Sequence, residues 1–273
     1  MTEREVRIED LQESNLDDLI YVCSSKKLND PVHMKGVTLK KAWLEKMLEK
    51  YGPLAKVAYL NGKPVAQILF HPEEASPTST LRRRGVVHLD CIYNSTPEAR
   101  QLGVATKLLQ SLVEDCRQGK GCLRGTPCRF IVARTFNTGE ALSLSQFYTR
   151  RGFKPSPTEA GMMYLPISEP YQPGPTQGEY ESMPEDKGKA LVFYSPSCEF
   201  SSPFAVGIAE SIREVAPSVP IELINEWEKP EEAIKRKGCT IIVNARPIKT
   251  FFMDKENFQR EVREALEQRD YNK

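Results

Sequence analysis

Read for the spacing of its apolar residues, the chain opens with an alternating run, Glu5 to Glu9, that predicts a strand. Leu16 to Cys23 and Thr38 to Glu49 follow with apolar residues at helical spacing. Ala55 to Leu60 and Val65 to His71 then flank Asn61-Gly62, a dipeptide that favours a tight hairpin because both positions tolerate positive φ. After a polar tip from Pro72 to Arg84, Gly85 to Tyr93 is rich in Val, Leu and Ile and predicts a buried strand. The next helix carries Leu102, Ala105, Leu108, Leu109, Leu112, Val113 and Cys116 in steps of three and four, an apolar stripe suited to a sheet face. GKGCLRGTP reads as a loop, Arg129 to Arg134 as a strand, Glu140 to Arg151 as a helix and Gly161 to Leu165 as a further strand.

The pattern then breaks. From residue 166 to 189 the chain is crowded with Pro, Gly and Glu and has no apolar period, the composition of a linker. It restarts with strand Ala190 to Ser195 and a helix that places Phe204, Ile208, Ile212 and Val215 on one face. Strand Ile221 to Asn225, helix Pro230 to Lys237, strands Thr240 to Asn244 and Ile248 to Met253, and a terminal helix with Phe258, Val262 and Leu266 complete a second α/β set. The expected organisation is a first domain over 1–165, a linker over 166–189 and a second domain over 190–273, in line with a length of 273 residues.

Composition narrows the partners. With 40% hydrophobic residues, 27% charged residues and a net charge of +1, the chain lacks the basic excess of a nucleic-acid binder. No apolar run approaches the roughly 20 residues that span a bilayer, and the charged N-terminal segment is unlike a secretory signal, so the expected location is the cytoplasm. Seven scattered cysteines suggest reduced thiols. Cys116, Cys122 and Cys128 are separated by five-residue gaps with no histidine near, wider than paired zinc ligands, and no metal is expected.

The chemistry concentrates where the buried strand meets its helix. Arg100, Gly103 and Ala105 form Arg-x-x-Gly-x-Ala at a helix mouth, where small residues let a ligand approach backbone N–H groups that attract a pyrophosphate. The bland alternative is a glycine that packs closely on the preceding strand. Neither a P-loop nor a Gly-x-Gly-x-x-Gly dinucleotide fingerprint is present. Downstream, Phe147-Tyr148-Thr149-Arg150-Arg151-Gly152-Phe153 closes another helix. With these two motifs in this order, residues 3 to 165 resemble the GNAT superfamily of acetyltransferases.

That resemblance implies an α/β fold with a mixed central sheet flanked by helices, and acetyl-CoA as co-substrate. It implies that the Gly85 to Tyr93 strand splays from its neighbour, with Cys91, Ile92 and Tyr93 beside the pantetheine arm. It further implies that Arg100, Gln101, Leu102, Gly103, Val104, Ala105 and Thr106 surround the pyrophosphate, and that an amine attacks the acetyl carbonyl directly. Tyr148 stands where family members carry the acid that protonates the leaving thiolate, or is a helix tyrosine half buried on the sheet. His88 and Asp90 share a strand face by period two and are candidate bases if that face lines the cleft; if it is packed, His88 is a core residue with a hydrogen bond.

Cys198 follows strand Ala190 to Ser195 in the layout of a thioredoxin-like active turn, but Cys198-x-x-Ser201 replaces the dithiol. Cys239 stands at the position of that family's cis-proline. A GNAT domain with such a tail resembles acetyltransferases bearing the YoaP-like C-terminal domain. Cys198 and Cys239 are a candidate thiol site for oxidants or soft metals, against a degenerate fold used for packing. The expected partner is a small-molecule or peptide amine acceptor, with neither nucleic acid nor membrane. A non-catalytic acyl-CoA sensor coupled to a thiol domain, or a tail that delivers a substrate, are the competing readings. Trp43, Tyr51, His33 and the Arg82-Arg83-Arg84 run either line the acceptor pocket or belong to core and surface.

Overall fold

A computed structural model describes residues 5–135, 143–175 and 178–267. They cluster into two compact units: Met1–Lys27 with Lys41–Gln177, and Leu28–Lys40 with Gly178–Lys273.

Unit 1 is built on a sheet whose elements arise in the order β1 (Val6–Asp10), α1 (Leu16–Ser24), α2 (Pro31–Tyr51), β2 (Ala55–Leu60), β3 (Lys63–Pro72), β4 (Val86–Asn94), α3 (Pro97–Gln101), α4 (Val104–Gln118), β5 (Phe130–Arg134), α5 (Leu144–Thr149), β6 (Lys154–Pro155) and β7 (Met162–Pro166). The strands lie in the order β1-β2-β3-β4-β5-β7-β6. Only the β4–β5 pair is parallel, so the sheet is mixed, and helices flank it. The expected α/β fold class holds.

Local sequence explains the joints. Asn61 and Gly62 take φ of +50° and +78°, the left-handed pair that closes β2 onto β3. The helix expected from Thr38 begins earlier because Asp30 Oδ1 accepts from the amides of Val32 at 2.9 Å and His33 at 3.3 Å, with Pro31 in the first turn where its missing N–H costs nothing. Residues up to Lys40 of this helix cluster with unit 2 and those from Lys41 with unit 1. Val104, Leu108, Leu109, Leu112 and Cys116 of α4 pack on Ile68, Phe70, Val87, Leu89 and Ile131, and this layer is the main core of unit 1.

Unit 2 continues with β8 (Ala190–Tyr194), α6 (Ser201–Val215), β9 (Ile221–Asn225), α7 (Pro230–Lys235), β10 (Ile241–Val243), β11 (Arg246–Pro247) and α8 (Lys255–Glu267). The sheet order is β11-β10-β8-β9, with β8 and β9 parallel and the other pairs antiparallel. Alternation along β8 sends Ala190 and Val192 to a core with α6 and α8, and Leu191 and Phe193 to a second core with Ala233 of α7. The strand expected over Ile248 to Met253 is replaced by the short β11. Asn244 and Ala245 turn the chain with φ of +50° and +58°, so pairing resumes at Arg246. The amides of Lys249 and Thr250 then donate to the Glu261 carboxylate at 2.9 and 2.8 Å and leave the sheet.

Candidate active site

The site of unit 1 begins where β4 loses a neighbour. β4 pairs with β5 from Val86 to Leu89 only, and Asp90 to Asn94 have no β5 partner among the described residues. Among the described residues the pairing of β4 with β5 thus stops before Cys91, Ile92 and Tyr93, the stretch where the splay was implied. Asn94 at its end has a buried side-chain Oδ1 with no hydrogen-bond partner.

The chain then turns into α3, whose first turn is capped by the Thr96 hydroxyl accepting from the Ala99 amide at 3.2 Å. Gly103 at φ +66° separates α3 from α4. A Cβ there would meet nothing within 4 Å. The glycine is thus demanded by its left-handed backbone rather than by close packing on the strand, and the space in front of it is open. The amides of Leu102 and Gly103 donate to the carbonyls of Glu98 and Arg100, both at 3.1 Å, which narrows the N–H groups able to face an anion to those of Val104, Ala105 and Thr106 at the start of α4. Arg100 and Gln101 are exposed on α3 beside them.

The Phe-Tyr-x-x-x-Gly-Phe segment closes α5 with a left-handed Gly152 at φ +87°. Phe153 N–H returns to the Tyr148 carbonyl at 3.2 Å and Gly152 N–H to Thr149 at 3.1 Å, a Schellman closure that explains the Gly-Phe pair. Arg151, which sequence reasoning passed over, ties this helix end to the α4 turn. Its Nε and Nη2 donate to Thr106 Oγ1 (the Nε contact at 3.1 Å), its Nη1 donates to the Phe147 carbonyl at 2.8 Å, and its guanidinium lies 3.7 Å from the Phe147 ring centre. Beside it, Thr106, Gln110, Arg117, Arg150 and Arg151 line an open groove with apolar walls from Leu109, Val113 and Leu165.

Tyr148 is buried, its ring tilted against Phe153. Burial raises its hydroxyl pKa, and the nearby Cys91 and Asp90 raise it further, so the tyrosine lies close to the splayed part of β4. Asp90 itself is the extra residue of a bulge: Leu69 faces Cys91 and Phe70 faces Leu89, which leaves Asp90 without a β3 partner. It reaches His71 Nδ1 at 2.6 Å. His71 stacks on His88, ring centres 5.3 Å apart, and His88 Nε2 lies 3.8 Å from Glu73. Arg83 Nε donates to the other Glu73 oxygen at 2.7 Å. Burial alone would raise the Glu73 pKa, but His88 and Arg83 overcome it and hold the carboxyl down to about 2. His88 and Asp90 are thus linked through His71, a residue on the neighbouring strand whose register no local pattern announces.

Other candidates lie elsewhere. Trp43 is buried, Arg83 is committed to Glu73 and to the Gln172 carbonyl at 2.6 Å, and Arg84 points to Thr126 at 3.4 Å. His33 is buried in unit 2, its ring 4.7 Å from Phe200. Cys116, Cys122 and Cys128 are free thiols in the unit 1 core, and burial, with Cys128 nearby, pushes Cys122 up to about 12.

In unit 2, Cys198 occupies the turn between β8 and α6 and keeps exposed surface. The atoms packed around its sulfur, with the Glu199 charge, nevertheless push the thiol up; Lys40 and the amides of Phe200 and Ser201 pull the other way and do not prevail. A thiol held protonated is a poor nucleophile. Cys239 Sγ donates to the Ile241 carbonyl at 3.4 Å, and burial pushes its thiol up.

Residues 17–137 match the model of the Acetyltransferase (GNAT) family. That span runs from α1 through β5 and contains the end of the β4–β5 pairing and the α4 turn, so this part of unit 1 is similar to that family, whose co-substrate is acetyl-CoA. Tyr148 and all of unit 2 beyond residue 137 lie outside the match. Solved structures similar to the chain include an N-acetyltransferase from Staphylococcus aureus Mu50, 18% identical with a TM-score of 0.43, the match covering 60% of this chain and 99% of that one. A putative GNAT acetyltransferase from Desulfovibrio desulfuricans is 17% identical with a TM-score of 0.42, over 60% and 100% of the two chains. A GNAT acetyltransferase from Brucella melitensis, solved in complex with acetyl-CoA, is 18% identical with a TM-score of 0.40, over 63% and 94%. No curated protein matches the chain.

The residues present fit an acyl-CoA. The unpartnered Asn94 oxygen, at the end of β4 beyond its pairing with β5, suits an amide of a pantetheine arm, and the free space before Gly103 suits a diphosphate on the α4 amides. Among the described residues no group of three or more His, Cys, Asp or Glu is arranged to hold a metal, and no helix is long and apolar enough to cross a membrane.

Proposed function

We propose that this protein is an acetyl-CoA-dependent N-acetyltransferase of the cytoplasm that moves an acetyl group to the amine of a small molecule or peptide by direct attack. The observation that carries the reading is the parting of β4 from β5 after Leu89, directly beside the open first turn of α4. Acetyl-CoA supplies an activated thioester. Backbone at Cys91, Ile92 and Tyr93 would hold its arm, and the amides of Val104, Ala105 and Thr106, with Arg100 at the entrance, would hold its pyrophosphate.

Tyr148 is the proposed acid. Its raised pKa makes it a weaker acid than a free phenol, so it would donate only as the C–S bond breaks and the thiolate forms. Asp90, with His88 in the same network, is the proposed proton acceptor. For unit 2 we propose a thioredoxin-like fold, supported by the layout of β8, the Cys198 turn and α6. The Cys198 turn has no second cysteine, and its thiol is raised, which favours a packing or partner role for that turn over dithiol exchange.

The test is calorimetric titration of acetyl-CoA into the full chain, beside Gly103→Glu. Micromolar binding is expected, weakened about tenfold or more in the variant, with thermal unfolding checking that the variant is folded. An amine screen with Tyr148→Phe follows, where loss of turnover with retained acetyl-CoA affinity supports the acid role. Absence of acetyl-CoA binding to the unsubstituted chain would end this reading.

A further inference from the structure

The bulge in β4 raises a question that the acid and the cofactor cradle leave open: what fixes Asp90 at the cleft. A bulged residue loses its cross-strand partner and with it the usual restraint on its side chain. Here the restraint comes from His71 on β3, whose Nδ1 meets Asp90 Oδ2 at 2.6 Å. His71 is buried, while 23% of the Asp90 side chain is exposed, so the pair has one sealed end and one open end. The sealed end is braced in turn: His88 stacks on His71, and Glu73, tied to Arg83 by two hydrogen bonds at 2.7 and 3.3 Å, sits against His88.

We propose that His71 is the positioning residue of the proton acceptor, holding the Asp90 carboxylate where β4 leaves β5 so that its free oxygen receives the proton of the acceptor amine. The inference rests on the acetyltransferase reading and deepens it. In the step, the amine lone pair forms the N–C bond to the acetyl carbon and the C–S electron pair leaves on the CoA sulfur. The arriving ammonium first gives one proton to Asp90, which frees the lone pair; the second nitrogen proton leaves to solvent as the amide forms, while Tyr148 protonates the thiolate and is itself reprotonated from solvent. His71 donates its Nδ1 proton to Asp90 throughout and touches neither substrate. His88, stacked on His71 and backed by Glu73 and Arg83, braces the His71 ring against the carboxylate. The acceptor class that needs such a device is an alkyl amine, protonated when it arrives at neutral pH, rather than an amine already neutral in solution.

The experiment uses the full chain, acetyl-CoA and two probe nucleophiles, ethylamine and hydroxylamine, with CoA thiol release as readout. His71→Ala is expected to lower kcat with ethylamine about tenfold or more while the acetyl-CoA Kd stays within about twofold. Hydroxylamine, largely neutral at pH 7, should be much less affected. His71→Asn, whose amide can still donate to Asp90, should recover most of the lost turnover. With only three histidines in the chain, long-range proton–nitrogen spectra can also be assigned by substitution: His71 should carry its proton on Nδ1, and lose that signature in Asp90→Asn while His33 keeps its own. Equal loss with both nucleophiles, no rescue by Asn, or an unchanged His71 signature in Asp90→Asn would overturn the inference. Acetyl-CoA bound but never turned over by the unsubstituted chain would remove the transferase reading beneath it, an outcome separable from failure of His71 alone.

Discussion

Both units bury charged side chains, but they close the pairs differently. In unit 2, Arg236 donates to both oxygens of Asp186 at 2.9 and 2.6 Å, and neither side chain is more than 2% exposed. Tyr180 adds a third donor to the same carboxylate at 2.8 Å, and Lys40 meets Glu199 at 2.8 Å in a second sealed pair. In unit 1 Asp90 pairs with His71, Glu73 is held by Arg83 with His88 3.8 Å away, and the network opens to solvent at Asp90 and His88. An arginine–aspartate pair holds one protonation state at any ordinary pH, whereas a histidine–carboxylate pair with an open end can take up and release a proton. The contrast is between charge sealed inside a fold and charge with one end open to solvent.

The largest effect that would test this contrast is expected at Asp186. Its loss in Asp186→Ala leaves the Arg236 guanidinium buried with Glu232 as its remaining acidic partner, and an uncompensated buried charge typically costs about 3–5 kcal/mol. Guanidinium unfolding followed by the fluorescence of Trp227 in unit 2 would measure it. A cost below about 1 kcal/mol would mean that water replaces the aspartate and that the pair is not sealed.

Glu73 should give a smaller and pH-dependent effect. Its folded pKa of about 2 lies below the ordinary 4.5, because His88 and Arg83 outweigh the cost of burial. Stabilisation from such a group is complete above the unfolded value and disappears as pH falls from about 4.5 towards 2. Glu73→Gln should therefore cost about 2 kcal/mol at pH 7 and flatten the acid limb of the stability curve of unit 1. An acid limb as steep as that of the unsubstituted chain would show that Glu73 is not held by its partners.

The same contrast explains what could be read from the sequence. The Asn61-Gly62 turn, the β4 strand and the α4 stripe are local patterns, and each appears within a few residues of its expected place. The early start of α2 was also written locally, in Asp30-Pro31, although the apolar spacing pointed to Thr38. His71 is different in kind. Its contact with Asp90 depends on which residue of β3 faces which of β4 across a long tip, and on a bulge that displaces that register by one. The period-two reading of β4 grouped His88 with Asp90 but carried no information about the strand beside them. Likewise, the clustering of Leu28–Lys40 with unit 2 depends on tertiary pairs such as Lys40 with Glu199, 159 positions away.

The smallest effects come from two glycines that unit 1 uses for different purposes. Gly103 and Gly152 both have left-handed φ, +66° and +87°, and neither has a neighbour that an added methyl would strike: nothing lies within 4 Å of the first, and Leu165 Cδ1 is 3.6 Å from the second. Gly103→Ala and Gly152→Ala should therefore carry the same backbone strain, about 1–2 kcal/mol, and shift thermal unfolding alike. They should part in titrations with acetyl-CoA. A methyl at 103 enters the open space before the α4 amides, while one at 152 lies beyond the helix closure that Phe153 completes. Weakened binding in the first variant alone would assign the open space to the diphosphate; equal weakening in both would mean that the Arg151–Thr106 link, rather than the space at Gly103, governs the cradle.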